Sequence, residues 1–429
     1  MTTKTALNIA IIHIQVYESK RCVESEIDEV MNLALAIDLN VVYTKIITLK
    51  KINPSTLFGS GNIQTIREQV EANHIGLVII NYSLSPIHHR NLEHRLKTKV
   101  IDRTGLILEI FGKRAKTAEG KLQVELAALQ YQRSRLVRSW THLERQRGGF
   151  GFTGGPGEKQ IELDRRLIDG RILHLQKDLE KIRKTRQLHR KTRKKNKIPI
   201  VALVGYTNAG KSTLFNELTN STVLAKNMLF ATLDPTMRPL TLSNNQKIIL
   251  SDTVGFIADL PAALIAAFRA TLEEVIEADI ILHVRDITHP ETNLQKIEVE
   301  KILHDLGINT EETNRFLTVI NKIDLLTEPT NDHIPPENNN CVHISALKRL
   351  GVDSLEKMLI RNINPQFTLQ NFCIPCSRSD LIAWCYQRGQ VCYRKDEDLA
   401  VFLRVQLHPD DIHHIENELI HCPTLKQSY

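Results

Sequence analysis

The sequence predicts an α/β protein with three domains. These are an N-terminal α/β domain with a long antiparallel helical hairpin, a central domain with a mixed, mostly parallel sheet, and a small C-terminal α+β domain. Three observations predict this fold: apolar runs alternate with helical patterns, two heptad-like seams follow, and a complete phosphate-binding loop comes next. We place the N-terminal domain at 1–197, with its α/β subdomain at 1–112 and its hairpin at 113–197; the other domains are 198–363 and 366–429.

The N-terminal subdomain alternates strand-like and helix-like segments. Helical stretches such as Glu24–Ala36 and Asn62–Ala72 lie between the apolar runs. Such alternation predicts a small unit with a largely parallel sheet. The apolar, β-rich runs are Leu7–Ile14, Val41–Thr48, Leu77–Asn81 and Val100–Phe111.

Two long helices are predicted next, at 113–146 and 158–195, and their apolar seams predict an antiparallel hairpin. The link between them, Gly148–Gly157, holds six glycines in ten residues. It is either a plain flexible turn or a tip that meets a partner. The seam residues are Leu122, Leu126, Leu129, Leu136, Trp140 and Leu143 on the first helix, and Ile161, Ile168, Ile172, Leu175, Leu179 and Ile182 on the second.

Positive charge is concentrated in the hairpin. The whole chain has a net charge of +7. Residues 113–197 carry 24 Lys+Arg against 9 Asp+Glu, which is +15 and leaves −8 for the rest. We favour a polyanion-binding surface over a merely solvated face. No apolar run reaches the roughly 18 residues of a membrane span, no signal-peptide pattern is present, and the cysteines are scattered, so a cytoplasmic protein is expected.

The phosphate-binding loop is the residue pattern that points most directly to a ligand. Gly205-Tyr206-Thr207-Asn208-Ala209-Gly210-Lys211-Ser212 matches G-x-x-x-x-G-K-[ST] and lies between a strand-like run, Ile198–Val204, and a helix-like stretch, Lys211–Thr219. Backbone N–H groups of such a loop face the phosphates. Lys211 is expected to reach the outer phosphates, and Ser212 to bind Mg²⁺. The chain is therefore predicted to bind a nucleoside triphosphate.

Two further segments complete the phosphate side of the site. A strand runs into Asp252-Thr253-Val254-Gly255, where the carboxylate can hold Mg²⁺ through water and the glycine N–H can approach the terminal phosphate. Phe230-Ala231-Thr232-Leu233-Asp234 precedes it as a first switch, with Thr232 as the expected Mg²⁺ ligand and Thr236 as the alternative. The second switch follows from Gly255 to Leu260, and the γ-phosphate should order both switches.

The base is predicted to be guanine. An apolar strand ends in Asn321-Lys322-Ile323-Asp324, and the Asp324 carboxylate can accept from the two donors on the guanine edge. Adenine lacks both donors and would leave a buried charge unpaired. Asn321 is expected to tether the phosphate loop to this segment, and Lys322 to pack along the base. Ser345-Ala346-Leu347 ends the next strand and places backbone N–H groups near the guanine oxygen. The central domain is thus a P-loop GTPase domain, with Lys211, Thr232 and Gly255 as its catalytic residues.

Two residues bear on hydrolysis. Phe256 follows Gly255, at the position where many GTPases use a glutamine to orient the attacking water, so a partner, a cation or another residue must help. Asn208 resembles the asparagine of potassium-dependent GTPases. It either supports a K⁺ ion between the phosphates or only stabilises a turn.

These nucleotide motifs resemble the HflX family of GTPases, and the similarity extends to the N-terminal domain. The resemblance implies a ribosome-associated GTPase that binds the large subunit, some members splitting stalled ribosomes, with the glycine-rich hairpin tip entering near functional RNA. Asn62 stands where relatives carry a glycine-lysine-rich stretch, so a basic contact is not expected there. The matching segments outside the central domain are Leu84–Pro86, Asn91–Leu92, Val100–Thr104, Leu122–Leu126, Gly154–Glu158 and Asp164–Arg166.

The expected protein is a monomer that binds GTP or GDP with Mg²⁺ and contacts the large subunit and its RNA through the basic hairpin. Peripheral association with a membrane is compatible with the absence of a predicted span. Two other functions stay open: a GTPase switch in ribosome assembly, and an RNA-remodelling NTPase.

Overall fold

The computed structural model describes residues 7–16, 21–138, 156–195, 198–221, 230, 236–244, 246–258, 272–311, 315–326, 336–338, 340–363, 368–407 and 409–420. Its N-terminal sheet has four parallel strands in the order β2-β1-β3-β4. The first three apolar runs of the sequence, Leu7–Ile14, Val41–Thr48 and Leu77–Asn81, form strands because β-branched residues dominate them. The strands are β1 (Asn8–Val16), β2 (Asn40–Leu49), β3 (Leu77–Asn81) and β4 (Lys99–Asp102).

Helices cover both faces of this sheet. They are α1 (Val23–Leu35), α2 (Ser60–Ala72), α3 (Pro86–Leu96) and α4 (Arg103–Arg114). The prediction of a β-rich run over Val100–Phe111 is wrong beyond Asp102. The Asp102 side chain accepts a hydrogen bond from the Gly105 N–H at 2.8 Å and so caps α4, which starts at the next residue. Because α4 is buried among apolar neighbours, its sequence is apolar enough to resemble a strand.

The helical hairpin follows as α5 (Ala118–Arg138) and α6 (Pro156–Lys195). Ion pairs from Arg133 to Asp169 at 2.7 Å and from Arg186 to Glu119 at 2.7 Å fix the antiparallel direction. The first predicted helix begins too early, since residues 113–114 still belong to α4. Trp140, Leu143 and nearly all of the tip lie outside the described residues. The two seams pack together as predicted, through Leu122, Leu126 and Leu129 on one side and Ile168, Ile172, Leu175 and Leu179 on the other.

The central sheet has six strands in the order β10-β9-β8-β5-β7-β6, parallel except for the β6–β7 pair. The helix α7 begins at Lys211 and ends at Thr219, as predicted. The elements are β5 (Ile200–Val204), α7 (Lys211–Thr219), β6 (Thr236–Thr241), β7 (Lys247–Asp252), β8 (Ile280–Asp286), α8 (Thr292–Asp305), β9 (Phe316–Asn321), β10 (Cys341–His343) and α9 (Val352–Ile363).

The C-terminal sheet is antiparallel, with three strands in the order β11-β13-β12. Its elements are β11 (Thr368–Pro375), α10 (Ser379–Arg388), β12 (Gln390–Asp396), β13 (Ala400–Leu407) and α11 (Pro409–Ile420). The alternation predicted over Ala400–Leu407 corresponds to β13, and the helix predicted from Asp410 corresponds to α11.

One hydrophobic core joins the N-terminal and central sheets. Ile11 and Ile79 of the N-terminal sheet belong to the same buried cluster as Val204 of β5 and Phe256 of the second switch. The two sheets are therefore packed together through the switch side of the central sheet. Of the helices that the structure describes, none is both long and apolar enough to cross a membrane.

Candidate nucleotide site

The phosphate loop has the backbone geometry that its glycines allow. Gly205 lies at φ 147° and Gly210 at φ 94°, both in the region that favours glycine. A Cβ at Gly205 would collide with the Val284 carbonyl oxygen, and one at Gly210 with the Asn321 side-chain amide. Asn208 also has a positive φ, 62°, and is exposed. The loop can therefore approach its neighbours this closely only with glycine at those two positions.

Lys211, the first residue of α7, points back over the loop. Its ammonium group donates to the carbonyl oxygens of Gly205 at 3.1 Å and Tyr206 at 2.7 Å. Burial lowers the pKa of Lys211 to about 8, against the opposing attraction of Asp252. A buried ammonium group at the N-terminus of a helix is a strong partner for a phosphate.

A hydroxyl and a carboxylate meet beside this lysine. Ser212 donates from its hydroxyl group to Asp252 Oδ2 at 2.7 Å. Asp252 is fully buried at the carboxyl end of β7. Hydroxyl and carboxylate oxygens are the ligands that Mg²⁺ takes in proteins, so the two residues fit the ion that P-loop GTPases generally use.

The start of the second switch lies directly on the phosphate loop. The Phe256 N–H donates to the Gly205 carbonyl at 3.1 Å, and the Thr207 N–H donates to the Phe256 carbonyl at 2.7 Å. At Gly255, a Cβ would lie 2.9 Å from Lys211 Nζ and 3.0 Å from Thr207 Cα. Switch and loop are thus in backbone contact, with no room for a larger residue at Gly255. Phe256 is only 3% exposed, and its ring offers no group to align a water molecule.

The guanine motif is joined to the loop by one side chain. Asn321 donates from Nδ2 to the Ala209 carbonyl at 2.9 Å and accepts from the Ala346 N–H at 3.0 Å through Oδ1. This is the tether expected of Asn321, and it also fixes the segment from Ser345. The Lys322 ammonium group pairs with Asp286 at 2.5 Å, which anchors the end of this side chain at the carboxyl end of β8.

The remaining predicted residues differ in how well they are placed. The Asp324 side chain is buried, whereas Leu347 is exposed. Thr253 donates to the Leu203 carbonyl at 2.6 Å and is structural in this arrangement. Phe230 lies edge-on to Phe111 of α4, with ring centroids 4.6 Å apart. Val254 is buried, Ile323 begins a 3-10 turn, and the rest of the first switch, Ala231, Thr232, Leu233 and Asp234, lies outside the described residues.

Tyr206 has a role that the motif alone does not reveal. Its hydroxyl donates to Glu29 Oε1 of α1 at 2.8 Å and accepts from Arg21 at 3.0 Å. It also accepts from the Ala258 N–H of the second switch at 2.7 Å. Burial, followed by the nearby Glu29 carboxylate, raises the pKa of the Tyr206 hydroxyl, so it remains a donor. One side chain of the phosphate loop therefore contacts both the second switch and the N-terminal sheet's first helix.

Arg103, the first residue of α4, completes this contact. Its guanidinium donates to the Ala258 carbonyl at 3.1 Å, to Glu29 Oε2 at 3.1 Å and to Asn81 Oδ1 at 3.0 Å. Both backbone polar groups of Ala258 are thus bound, one by Tyr206 and the other by Arg103. We call Glu29, Arg103, Tyr206 and Ala258 the interface cluster. Arg103 lies within Val100–Thr104, one of the segments whose sequence resembles the family. The structure shows that this arginine contacts the second switch.

The hairpin is connected to the same cluster through the residue before Arg103. Tyr131 of α5 donates to Asp102 Oδ1 at 2.5 Å, and Arg135 lies 3.5 Å from Asp102 Oδ2. Asp102 is buried and caps α4. Side chains of the hairpin therefore hold the residue that caps α4. The first residue of α4, Arg103, in turn holds Ala258 of the second switch.

This fold and site define a P-loop GTPase, an enzyme that hydrolyses GTP. Four family models match the chain in succession: "GTP-binding GTPase N-terminal" over residues 24–112, "GTP-binding GTPase Middle Region" over 114–193, "50S ribosome-binding GTPase" over 200–322, and "HflX C-terminal domain" over 335–428. The chain belongs to the HflX family of GTPases.

Two relatives agree with this assignment in their sequences. The GTPase HflX of Magnetococcus marinus is 46% identical over 394 residues, which are 92% of this chain and 90% of the relative. The GTPase HflX of Escherichia coli is 42% identical over 361 residues, 83% of this chain and 84% of the relative. Among solved structures, a GTP-binding protein from Sulfolobus solfataricus in complex with GDP is 26% identical, with a TM-score of 0.44, and the match covers 84% of this chain and 99% of that one.

Proposed function

We propose that this GTPase acts in the cytoplasm as a GTP-gated factor of the large ribosomal subunit and splits or rescues stalled ribosomes. One observation carries the proposal: Tyr131 of the basic hairpin holds Asp102, and the next residue in the chain, Arg103, holds Ala258 of the second switch. A surface that binds RNA is thereby coupled to the part of the site that must change with the nucleotide.

The proposed roles of the nucleotide residues follow from their positions. The backbone of Gly205–Ser212 and the Lys211 ammonium bind the phosphates; Ser212 and Thr232 would hold Mg²⁺ directly, and Asp252 would hold it through water. When bound there, Mg²⁺ would supply positive charge to neutralise the phosphate oxygens. Gly255 offers its N–H to the γ-phosphate. The guanine base is selected over adenine by Asn321, Asp324 and the Ser345–Leu347 segment.

Hydrolysis is proposed to depend on the ribosome. The buried Phe256 ring cannot orient water, so the chain lacks the usual glutamine at this position. The exposed basic side chains of α6, among them Arg165, Lys177 and Lys184, lie on a hairpin of net charge +15 over residues 113–197. Such a surface binds RNA through its phosphates. Its docking would shift the contacts at Asp102 and release the second switch.

The decisive measurement is the GTP hydrolysis rate with and without purified large subunits. We expect strong stimulation by the subunits and slow turnover alone. Shortening Gly148–Gly157 should preserve GTP binding and abolish the stimulation. The matched control is Gly170→Ala in α6, where an added Cβ meets nothing within 4 Å. Stimulation that survives the shortened tip would contradict the role of the hairpin.

Sedimentation separates splitting from assembly. If the protein splits ribosomes, its GTP-bound form should convert joined ribosomes into free subunits. An assembly factor would leave joined ribosomes intact and bind precursor particles instead. An RNA-remodelling ATPase would keep its ATPase activity in Lys211→Ala, whereas the proposed GTPase loses nucleotide turnover in that variant.

A further inference from the structure

The three-stranded C-terminal sheet has one covered face and one exposed face. Its covered face packs against α10 and α11 through a buried cluster. Phe372, Leu403 and Val405 point into this cluster from β11 and β13. Alternate residues of the same strands must therefore point the other way, away from the helices.

The strand register identifies the side chains on the other face. Residues directly opposite each other in antiparallel strands point to the same side of a sheet. Arg404 of the central strand lies opposite Asn371 of β11 and Tyr393 of β12. Phe402 lies opposite Cys373 and Lys395. We call this surface the open face: Leu369, Asn371, Cys373, Tyr393, Lys395, Phe402, Arg404 and Gln406.

The open face exposes large apolar rings. Tyr393 is 55% exposed and Phe402 is 36% exposed. They are diagonal neighbours across β12 and β13, a relation that places side chains about 7–8 Å apart. Two rings at this separation can each stack on one of two successive unpaired bases.

Charges are divided between the two sides of this region. The open face contains Arg404 and Lys395 and no carboxylate, whereas the two helices carry Asp380, Asp411, Glu416 and Glu418, of which Asp380 and Glu418 pair with Arg378. Arg404 donates from Nε to Asn371 Oδ1 at 3.0 Å, which fixes its guanidinium against the sheet. Lys395 pairs with Glu397, just past the end of β12, at 2.9 Å. Both cations of the open face therefore lie beside the rings, and one of them, Lys395, also contacts a carboxylate at the end of the strand.

We propose that the open face binds single-stranded RNA, with Tyr393 and Phe402 stacking on bases and Arg404 and Lys395 contacting the phosphate backbone. A sheet face with exposed aromatic rings between basic side chains is the arrangement by which a common class of module binds unpaired RNA. A protein partner would favour a face whose centre is depleted of charge. Here each ring lies opposite a cation. This site is separate from the hairpin and does not depend on the proposed function.

The test measures binding of a fluorescent oligo-uridine of about ten nucleotides to the full chain, at about 0.3 M KCl to weaken purely ionic binding. Phe402→Ala and Tyr393→Ala should each weaken binding about tenfold, since each removes one stacking partner. The matched control is Tyr386→Ala on α10, an equally exposed tyrosine (51%) away from the open face. It should bind as the unchanged protein does. GDP affinity and the unfolding temperature verify that each variant is folded.

Cross-linking locates the contact and separates it from the hairpin. A 4-thiouridine oligonucleotide should cross-link to peptides that contain Tyr393 or Phe402, and double-stranded RNA should not compete at that site. A double variant that combines Tyr393→Ala and Phe402→Ala completes the test, and RNA binding equal to that of the unchanged protein would overturn the proposal. A second result would also overturn it: the double variant keeps its RNA affinity but loses binding to RNA-free proteins of the large subunit. The open face would then bind protein. GTP hydrolysis is unaffected in either case.

Discussion

Replacing Tyr206 by phenylalanine removes one oxygen atom from the centre of the interface cluster. That oxygen makes hydrogen bonds to Glu29, Arg21 and the Ala258 N–H, at distances from 2.7 to 3.0 Å. Tyr206 is 6% exposed, so water cannot easily replace the lost partner. A hydrogen bond to a charged group is worth roughly 1.5–3 kcal/mol, and a buried donor left unpaired costs about as much. We expect the packing of the phosphate loop and the second switch against α1 to lose about 3 kcal/mol. This is about a 100-fold change in the equilibrium between the packed and the opened arrangement.

Amide hydrogen exchange followed by mass spectrometry measures this opening directly. Exchange should accelerate in the peptide that contains Ala258 and in peptides of α1, which carries Glu29. Tyr43→Phe is the matched control, because Tyr43 packs in a separate core of the N-terminal sheet. It should leave both peptides unchanged.

A double-mutant cycle with Glu29→Gln tests the cause. If Tyr206 and Glu29 act through their mutual hydrogen bond, the double variant should be less perturbed than the sum of the two single variants, by about 1–2 kcal/mol. Additive effects, or an Ala258 peptide with unaltered exchange in Tyr206→Phe, would refute the reasoning.

Three further predictions concern the nucleotide site. Because the pKa of Lys211 is lowered to about 8 and phosphate binding needs the charged form, GDP affinity should fall about fourfold from pH 7 to pH 8.5; isothermal titration measures this, and a flat profile would contradict it. Gly255→Ala should slow GTP hydrolysis at least about tenfold with GDP binding retained, since the added methyl group displaces the switch from Lys211 and Thr207. Gly112→Ala, where a Cβ meets nothing within 4 Å, is its control in a steady-state assay. If Asn208 supports a K⁺ ion, hydrolysis should be about tenfold faster in KCl than in NaCl at matched ionic strength; equal rates would leave Asn208 with a turn-forming role alone.

Elements whose local chemistry is self-contained are predictable from the sequence. The phosphate loop and α7 are specified by contiguous glycines, Lys211 and Ser212, and the hairpin by two apolar seams. Prediction fails where burial disguises periodicity. Leu106, Ile107 and Phe111 of α4 are all buried, and Glu109 is the only polar residue between Gly105 and Gly112, so the run resembles a continuation of β4. The cap at Asp102 decides the outcome, and that cap depends on a neighbour three residues on.

The interface cluster could not be predicted for a different reason. Glu29 and Arg103 are 74 positions apart in the chain, Tyr206 lies still farther along, and each has an ordinary local environment in the sequence. Tyr206 occupies a variable position of the G-x-x-x-x-G-K-[ST] pattern, so the motif assigns it no task. Only the packing of the N-terminal sheet against the central sheet shows that the Tyr206 hydroxyl contacts both α1 and the second switch.

The interface cluster lies where the carboxyl edge of the N-terminal sheet contacts the second switch of the central domain. In open parallel sheets, ligands bind beyond the carboxyl ends of the strands, where neighbouring strands connect in opposite directions. In the order β2-β1-β3-β4 that place lies between β1 and β3, and Asn81 at the end of β3 binds Arg103 there. Arg103 in turn holds the Ala258 carbonyl. The N-terminal sheet thus uses its ligand-binding edge to bind a segment of the GTPase switch. A change at the hairpin that moves Asp102 would then act on the same arginine that holds Ala258, so this arginine gives the hairpin a direct connection to the second switch.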